Sequence, residues 1–124
     1  MLATDRTLEL VRAYYDCWKD GIRSFDEARL RSLLAPDLVF EGPIAGRRVG
    51  AEPFIKGLRG FVETLEGLRM IQQLQLGDEA AFLYDCDLTA PAGTFRFAEF
   101  LRFDQDRQRI REVRIVFDAT RFRS

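Results

Sequence analysis

The sequence predicts one α+β domain over residues 1–124, with three helices packed on a strongly curved, mostly antiparallel sheet. Three observations lead there. A chain of 124 residues with 47% hydrophobic content suits a single core. Apolar residues follow a helical spacing in the first half, and from Leu68 onward the period falls to two, with turn residues between the runs. A meander of strands following helices gives an antiparallel sheet curled around those helices, not a parallel α/β sheet.

Each element has its own signal. Between residues 4 and 21, Asp5, Glu9, Arg12, Asp16 and Lys19 fall on one stripe at about 100° per residue, and Gly21 is the stop. Tyr14 lies opposite the middle of that stripe, flanked by Leu10, Val11 and Trp18, so it points inward. Ser24 to Glu27 reads as an S-x-x-E capping box for a short second helix, whose apolar face is Leu30, Leu33 and Leu34 and whose end is Ala35-Pro36. Leu38 to Glu41 reads as the first strand. The turn residues Gly42, Pro43, Gly46 and Gly50 then fit a small hairpin. Phe54, Ile55, Leu58, Phe61, Val62 and Leu65, spaced in threes and fours, form the face of the third helix. Gly57 and Gly60 inside it each cost about 1 kcal/mol relative to alanine, which close packing on a strand would explain. Four strands follow, near 68–76, 80–89, 94–103 and 109–117, separated by turn signals at Gly77-Asp78, Pro91 to Gly93 and Asp104 to Asp106.

Composition excludes several function classes. Lys plus Arg (19) nearly balances Asp plus Glu (20), so no field exists to gather nucleic acid or an anionic membrane. No apolar run approaches the roughly 20 residues of a membrane span, and the first turns carry Asp5, Arg6, Glu9 and Arg12, which points to the cytoplasm. Cys17 and Cys86 have no CxxC spacing and read as reduced packing residues. With no histidine, proton chemistry falls to carboxylate and tyrosine, and no cofactor or metal site is read.

Strand parity locates a pocket. In 94–103 the odd positions are Phe95, Phe97, Glu99, Leu101 and Phe103, which puts a carboxylate in the middle of an apolar face. Burial of an ionised carboxylate is costly, so Glu99 requires a partner, a proton or a cavity. Two readings fit: a pairing with an arginine at a rim or interface, or a pocket acid that meets a ligand. In 80–89, Ala80, Phe82, Tyr84, Cys86 and Leu88 share one face, and Asp85 and Asp87 take the other toward solvent or a partner subunit. In the last strand Arg111, Val113, Ile115 and Phe117 alternate with Ile110, Glu112, Arg114 and Val116, and the wall is apolar. Asp118 reads as a turn or cap. Tyr14 is either a core tyrosine bonded to a backbone carbonyl or a donor into the cavity. Trp18, with Phe40 from the first strand and Phe61 from the third helix, completes the wall.

The order of elements and the stretches VRAYYDCW at 11–18, LLAPDLVFEGP at 33–43, GDEAAF at 77–82, EFLRF at 99–103 and IREVRIVFD at 110–118 resemble the ketosteroid isomerase and SnoaL-like polyketide cyclase branch of the nuclear transport factor 2-like superfamily. The resemblance spans nearly the whole chain and implies a cone-shaped fold around a pocket. It places Tyr14 where the isomerases have an oxyanion-hole tyrosine, and Glu99 where they have a protonated aspartic acid. Their general base would fall at Gly42, which has no side chain, and Glu41 lies on the opposite parity. Limonene epoxide hydrolases resemble the chain with Phe40 and Gly42 at their tyrosine and asparagine positions and Ile115 at their last-strand acid, so their chemistry is not implied. The cyclases use a pocket carboxylate for aldol closure, a role open to Glu99.

Three functions are compatible with these residues: an isomerase- or cyclase-type enzyme on a hydrophobic carbonyl compound with Glu99 and Tyr14 catalytic; a non-catalytic binder of a hydrophobic small molecule; and a dimerisation module whose cavity is filled by Phe95, Phe97, Trp18 and Phe40. A homodimer is expected, because the resembled family pairs through its outer sheet face and Phe100 would otherwise expose a ring there.

Overall fold

The computed structural model describes residues 5–106 and 108–122. Three helices, α1 (Asp5–Asp16), α2 (Glu27–Leu33) and α3 (Ala51–Val62), pack on a six-stranded sheet. Its strands are β1 (Leu34–Gly42), β2 (Gly46–Val49), β3 (Leu65–Leu76), β4 (Glu79–Leu88), β5 (Gly93–Phe103) and β6 (Ile110–Val116). The order across the sheet is β2-β1-β6-β5-β4-β3. Only β1 and β6 are parallel; the other neighbours are antiparallel. Register shifts in β1, β3 and the β5–β6 pair mark where extra residues bend the strands, and the sheet curves around the helices.

The strand faces separate cleanly. β4 and β5 alternate between buried and more exposed residues along most of their length, with Ala80, Phe82, Tyr84 and Cys86 opposite Leu101, Glu99, Phe97 and Phe95 across the pair, and Leu88 and Phe103 buried as well. The helices close this face with Leu10, Val11, Tyr14, Tyr15 and Trp18 from the α1 segment, Leu30 from α2, and Ile55 and Val62 from α3. The outward residues neutralise one another. Arg96 forks onto Asp85 at 2.7 and 2.9 Å, Arg69 and Thr94 hold Asp87, and Arg102 meets Glu79 at 2.6 Å. Cys17 and Cys86 are free and buried, and burial pushes the Cys17 thiol up to about 11 and raises Cys86 as well.

Several sequence expectations are corrected. Regular α1 ends at Asp16, and looser turns carry the chain on to Gly21; residue 4, the expected helix start, lies outside the described residues. The cap of α2 is Asp26, whose carboxylate accepts from the Arg29 N–H at 3.1 Å. Ser24 instead closes the turn before it, accepting from Asp20 N, and Glu27 is drawn to Arg31 and Arg59. Pro36 does not end a helix: β1 already begins at Leu34, and the proline sits in the irregular stretch before Val39 where no ladder bond is required of it. Leu65 opens β3 and does not continue α3.

Parity also fails at the start of β6. The register shift between Arg102 and Phe103 leaves Arg111 as the extra residue, so Ile110, not Arg111, is buried with Val113. Asp118 bonds the Thr120 N–H at 3.1 Å and its hydroxyl at 2.6 Å, which caps the short final turn Ala119–Phe122.

The glycines separate into two kinds. Gly21 has φ +74°, and a Cβ there would lie 2.0 Å from the Leu65 carbonyl oxygen, so only glycine lets the end of the α1 segment touch β3. Gly57 and Gly60 have nothing within 4 Å of an added Cβ, so close packing does not explain them. Two substitutions read this difference in chemical denaturation. Gly21→Ala is expected to cost more than about 2 kcal/mol from backbone strain and overlap, and Gly60→Ala to add about 0.5–1 kcal/mol through helix propensity.

Candidate functional site

Glu99 projects from the middle of β5 into the core and is 1% exposed. Its partners are tyrosines, not an arginine. The Tyr14 hydroxyl donates to Oε2 at 2.7 Å, and the Tyr15 and Tyr84 hydroxyls donate to Oε1 at 2.8 and 2.7 Å. Two of these donors come from consecutive residues of α1 and the third from β4, so the carboxylate joins helix to sheet. No lysine or arginine among the described residues bonds to Glu99. Arg69, Arg96 and Arg102 of the sheet sit on its outer face, where they meet acids in water, and a guanidinium on the inner face would have to be desolvated as well.

The electrostatics follow from burial. Loss of solvent raises the Glu99 carboxyl above the ordinary carboxylate range, and the hydrogen bonds from Tyr14, Tyr84 and Tyr15 pull it partly back. The three phenols are held well above their usual range, first by burial and then by the neighbouring Glu99 charge, so they remain protonated donors. The surrounding rings pack edge to face: Tyr14 on Tyr15 at 4.9 Å, Tyr15 on Phe82 at 5.1 Å and Trp18 on Phe61 at 6.3 Å between centroids. Trp18 Nε1 is buried without a hydrogen-bond partner among the described residues, which costs about 1–3 kcal/mol.

A cavity of about 270 Å³ reaches this cluster from one side. Glu99, Tyr14 and Tyr84 stand at its inner end, and Tyr15 does not line it. Its walls are Trp18, Phe40, Phe61, Phe97, Val113, Ile115 and Phe117, so these rings enclose space and do not fill it. The mouth lies by the β1–β2 turn, where Ile44 is largely exposed.

Cys86 and Leu101, both on the expected face, do not line the cavity. They are buried in the core, because two residues along a strand displace a side chain by about 7 Å and the cavity is shorter than the strands. Phe54, Gly57 and Leu58 of α3, with Pro43 to Ala45 of the turn, line it without having been singled out. Phe54 and Leu58 share the stripe of Phe61, and that spacing was the available signal. For Tyr15 the signal was adjacency to Tyr14, which a helical wheel reads as orientation but not as depth.

Besides Glu99, one acid is among the described residues that line the cavity, Glu41. A Cβ at Gly42 would meet Ile115 Cγ2 at 3.0 Å, so Ile115 would have to shift by a few tenths of an ångström to admit one. Glu41 points outward and sits 3.6 Å from Arg114. A larger concavity of about 700 Å³ lies across the outer face of the sheet, over Leu74, Leu76, Phe100 and Val116, where the acids are ion-paired at the surface. The buried Glu99 cluster borders the smaller cavity.

Removal of the acceptor leaves three buried donors stranded. Glu99→Leu is expected to destabilise by about 3–5 kcal/mol in denaturant melts. Because the folded-state Glu99 is raised above its unfolded value, its contribution is complete below the unfolded carboxylate range and fades as pH rises through the folded value. Stability of Glu99→Gln, compared with wild type over that window, should not show this decline.

Comparisons with known proteins agree with the fold. The profile of the SnoaL-like domain matches residues 11–113. No curated protein matches the chain. Among solved structures, a protein of Kribbella flavida DSM 17836 is 28% identical at a TM-score of 0.81, covering 96% of this chain and 92% of that one. An NTF2-like protein of Cytophaga hutchinsonii ATCC 33406 is 15% identical at a TM-score of 0.76 over 100% of both chains. A steroid delta-isomerase of Pseudomonas aeruginosa is 20% identical at a TM-score of 0.76, covering 95% of this chain and 83% of that one. At those last two identities the likeness concerns the fold alone. The chain belongs to the SnoaL-like domain family, built on the nuclear transport factor 2-like fold.

Proposed function

We propose that this chain is a small-molecule pocket protein for a hydrophobic carbonyl compound, with Tyr14 and Glu99 polarising the carbonyl and Glu99 moving a proton, as in an isomerase or cyclase. The observation that carries the reading is the buried Glu99 carboxyl, bonded to Tyr14 and Tyr84 at the inner end of an otherwise apolar cavity. A cavity near 270 Å³ suits a ligand of one or two rings, set against the ~150 Å³ that holds benzene. A buried carboxyl with a raised pKa holds or releases a proton closer to neutral pH than an exposed one does. Trp18, Phe40, Phe61, Tyr84, Phe97, Val113, Ile115 and Phe117 would contact the apolar body of the ligand. Cys86 and Leu101, set back in the core, would support that wall.

Gly42 favours a second reading, non-catalytic binding through the same groups, since the place of an isomerase base carries no side chain and a Cβ there would need Ile115 to shift by a few tenths of an ångström. Turnover separates the two. The enzyme reading expects conversion within a panel of cyclic ketones and polyketide-like aromatics, and loss of about a hundredfold or more in kcat with Glu99→Gln. Unchanged activity in that variant would remove Glu99 from the reaction, and binding without turnover would leave the second reading.

Pocket occupancy has its own test. 2-Acetylnaphthalene and naphthalene differ by a carbonyl-bearing group, and both fit the space by size. By fluorescence titration Tyr14→Phe is expected to weaken the ketone about five- to tenfold and naphthalene hardly at all. Equal losses for both would mean that Tyr14 only shapes the wall.

We also propose a homodimer through the outer sheet face, where Leu74 is 61%, Leu76 85%, Phe100 47% and Val116 58% exposed. Light scattering is expected to give twice the chain mass, and Phe100→Arg half of that value. A wild-type monomer at micromolar concentration would overturn the proposal.

A further inference from the structure

Two arginines stand side by side on β2, at the mouth of the cavity, and the ladder with β1 sends them to different faces. Glu41 is directly opposite Arg47, and Phe40 is directly opposite Arg48. Residues opposed in an antiparallel pair project from the same face of the sheet. Arg47 therefore shares the outer face with Glu41, and its Nη1 lies 4.0 Å from Glu41 Oε1. Arg114 reaches the same oxygen at 3.6 Å, so the acid that lines the rim of the cavity has its charge met from two sides. Arg48 takes the face of Phe40, a wall residue of the cavity.

The guanidinium of Arg48 is fastened there by one nitrogen. Its Nε donates to the carbonyl of Ala45 at 3.2 Å, and Ala45 belongs to the turn that lines the mouth. Arg48 forms no ion pair among the described residues, and its two Nη groups donate to none of them. Other arginines of the molecule differ: Arg31, Arg59, Arg69, Arg96 and Arg102 each give N–H groups to a carboxylate. The Nε bond limits the freedom of the side chain before any ligand arrives. It leaves an Nη pair whose spacing matches the two oxygens of a carboxylate met end-on. The inner end of the cavity is closed to such a group, because Glu99 is 1% exposed there and a second anion would be buried beside it without a cation.

We infer that Arg48 anchors a carboxylate of the ligand at the mouth, while the apolar body lies inward among Phe40, Phe54, Phe61 and Phe97. The inference rests on the proposed small-molecule pocket and narrows its ligand class to an aromatic acid bound as the anion, with its carboxylate at the end away from Glu99. Binding forms no covalent bond and moves no proton.

The test is calorimetric titration of the intact protein near neutral pH with three probes of similar shape: 2-naphthylacetate, 2-naphthylacetamide and 2-naphthylethylammonium. Wild type is expected to bind the anion about three- to tenfold more tightly than the amide, and the cation least. That preference should shrink between about 0.01 M and about 1 M salt, as the Debye length falls from ~30 Å to ~3 Å. Arg48→Gln should bring the anion to the level of the amide and leave the amide unchanged, whereas Arg47→Gln, on the outer face, should keep the preference. Equal binding of anion and amide by wild type overturns the inference and leaves the pocket intact. A preference that survives Arg48→Gln does the same, and so does an equal loss of anion and amide in that variant, which would make Arg48 part of the shape of the mouth only. If none of the three probes binds, the proposed pocket function fails, and the inference with it.

Discussion

A carboxylate cannot sit in an apolar core without partners, and this fold is organised around meeting that constraint for Glu99. Desolvation of the ion costs several kcal/mol, and three hydrogen bonds from phenols, each worth about 1.5–3 kcal/mol to a charged acceptor, offset part of it. The donors span the chain: Tyr14 and Tyr15 stand 85 and 84 residues before Glu99, and Tyr84 stands 15 before it. All three bonds form only when α1 lies across β4 and β5 in one position. The cluster therefore acts as a register lock between helix and sheet. An apolar residue at position 99 would impose no such geometry on the helix.

The same arrangement gives the cavity its polarity. Among the described residues, the titratable groups that line it are Glu99, Tyr14 and Tyr84 of the cluster, and Glu41, which lies 3.6 Å from Arg114; Ile115 stands beside Gly42. A steroid delta-isomerase shares the frame at a TM-score of 0.76 and 20% identity, so the frame tolerates wide changes in what lines it. Here the polar end is the Glu99 cluster, among walls that are mainly apolar. Chemistry at that end must run through one acid and its phenols, in a setting where low dielectric strengthens each hydrogen bond and penalises each unpaired charge.

The outer face of the sheet follows the opposite logic. Its charges are numerous and are neutralised pairwise across strands, Asp85 with Arg96 and Glu79 with Arg102 on directly opposed positions of β4 and β5. Such exposed pairs contribute little to stability, but they keep the arginines out of the core. Between them Phe100, Leu74 and Val116 leave an apolar strip on the same face as the larger concavity.

The sequence by itself determined the class of fold, the inward face of β4 and β5, and the burial of Glu99 and Tyr14. These depend on a period of two or of about 3.6, and periodicity is a local property of the chain. It was silent or misleading wherever a non-local contact or a break in period intervened. The bulge at Arg111 reversed the parity of the start of β6, and Asp26 displaced Ser24 as a cap by two residues. Only the tertiary structure decided that Glu99 meets three tyrosines and no arginine, that Tyr15 joins the cluster, that Cys86 and Leu101 fall beyond the cavity, and that Ile115 stands beside Gly42. Each of those facts concerns which residue of a face stands opposite which residue of another. Register and docking fix that relation, and no single stretch of chain contains it.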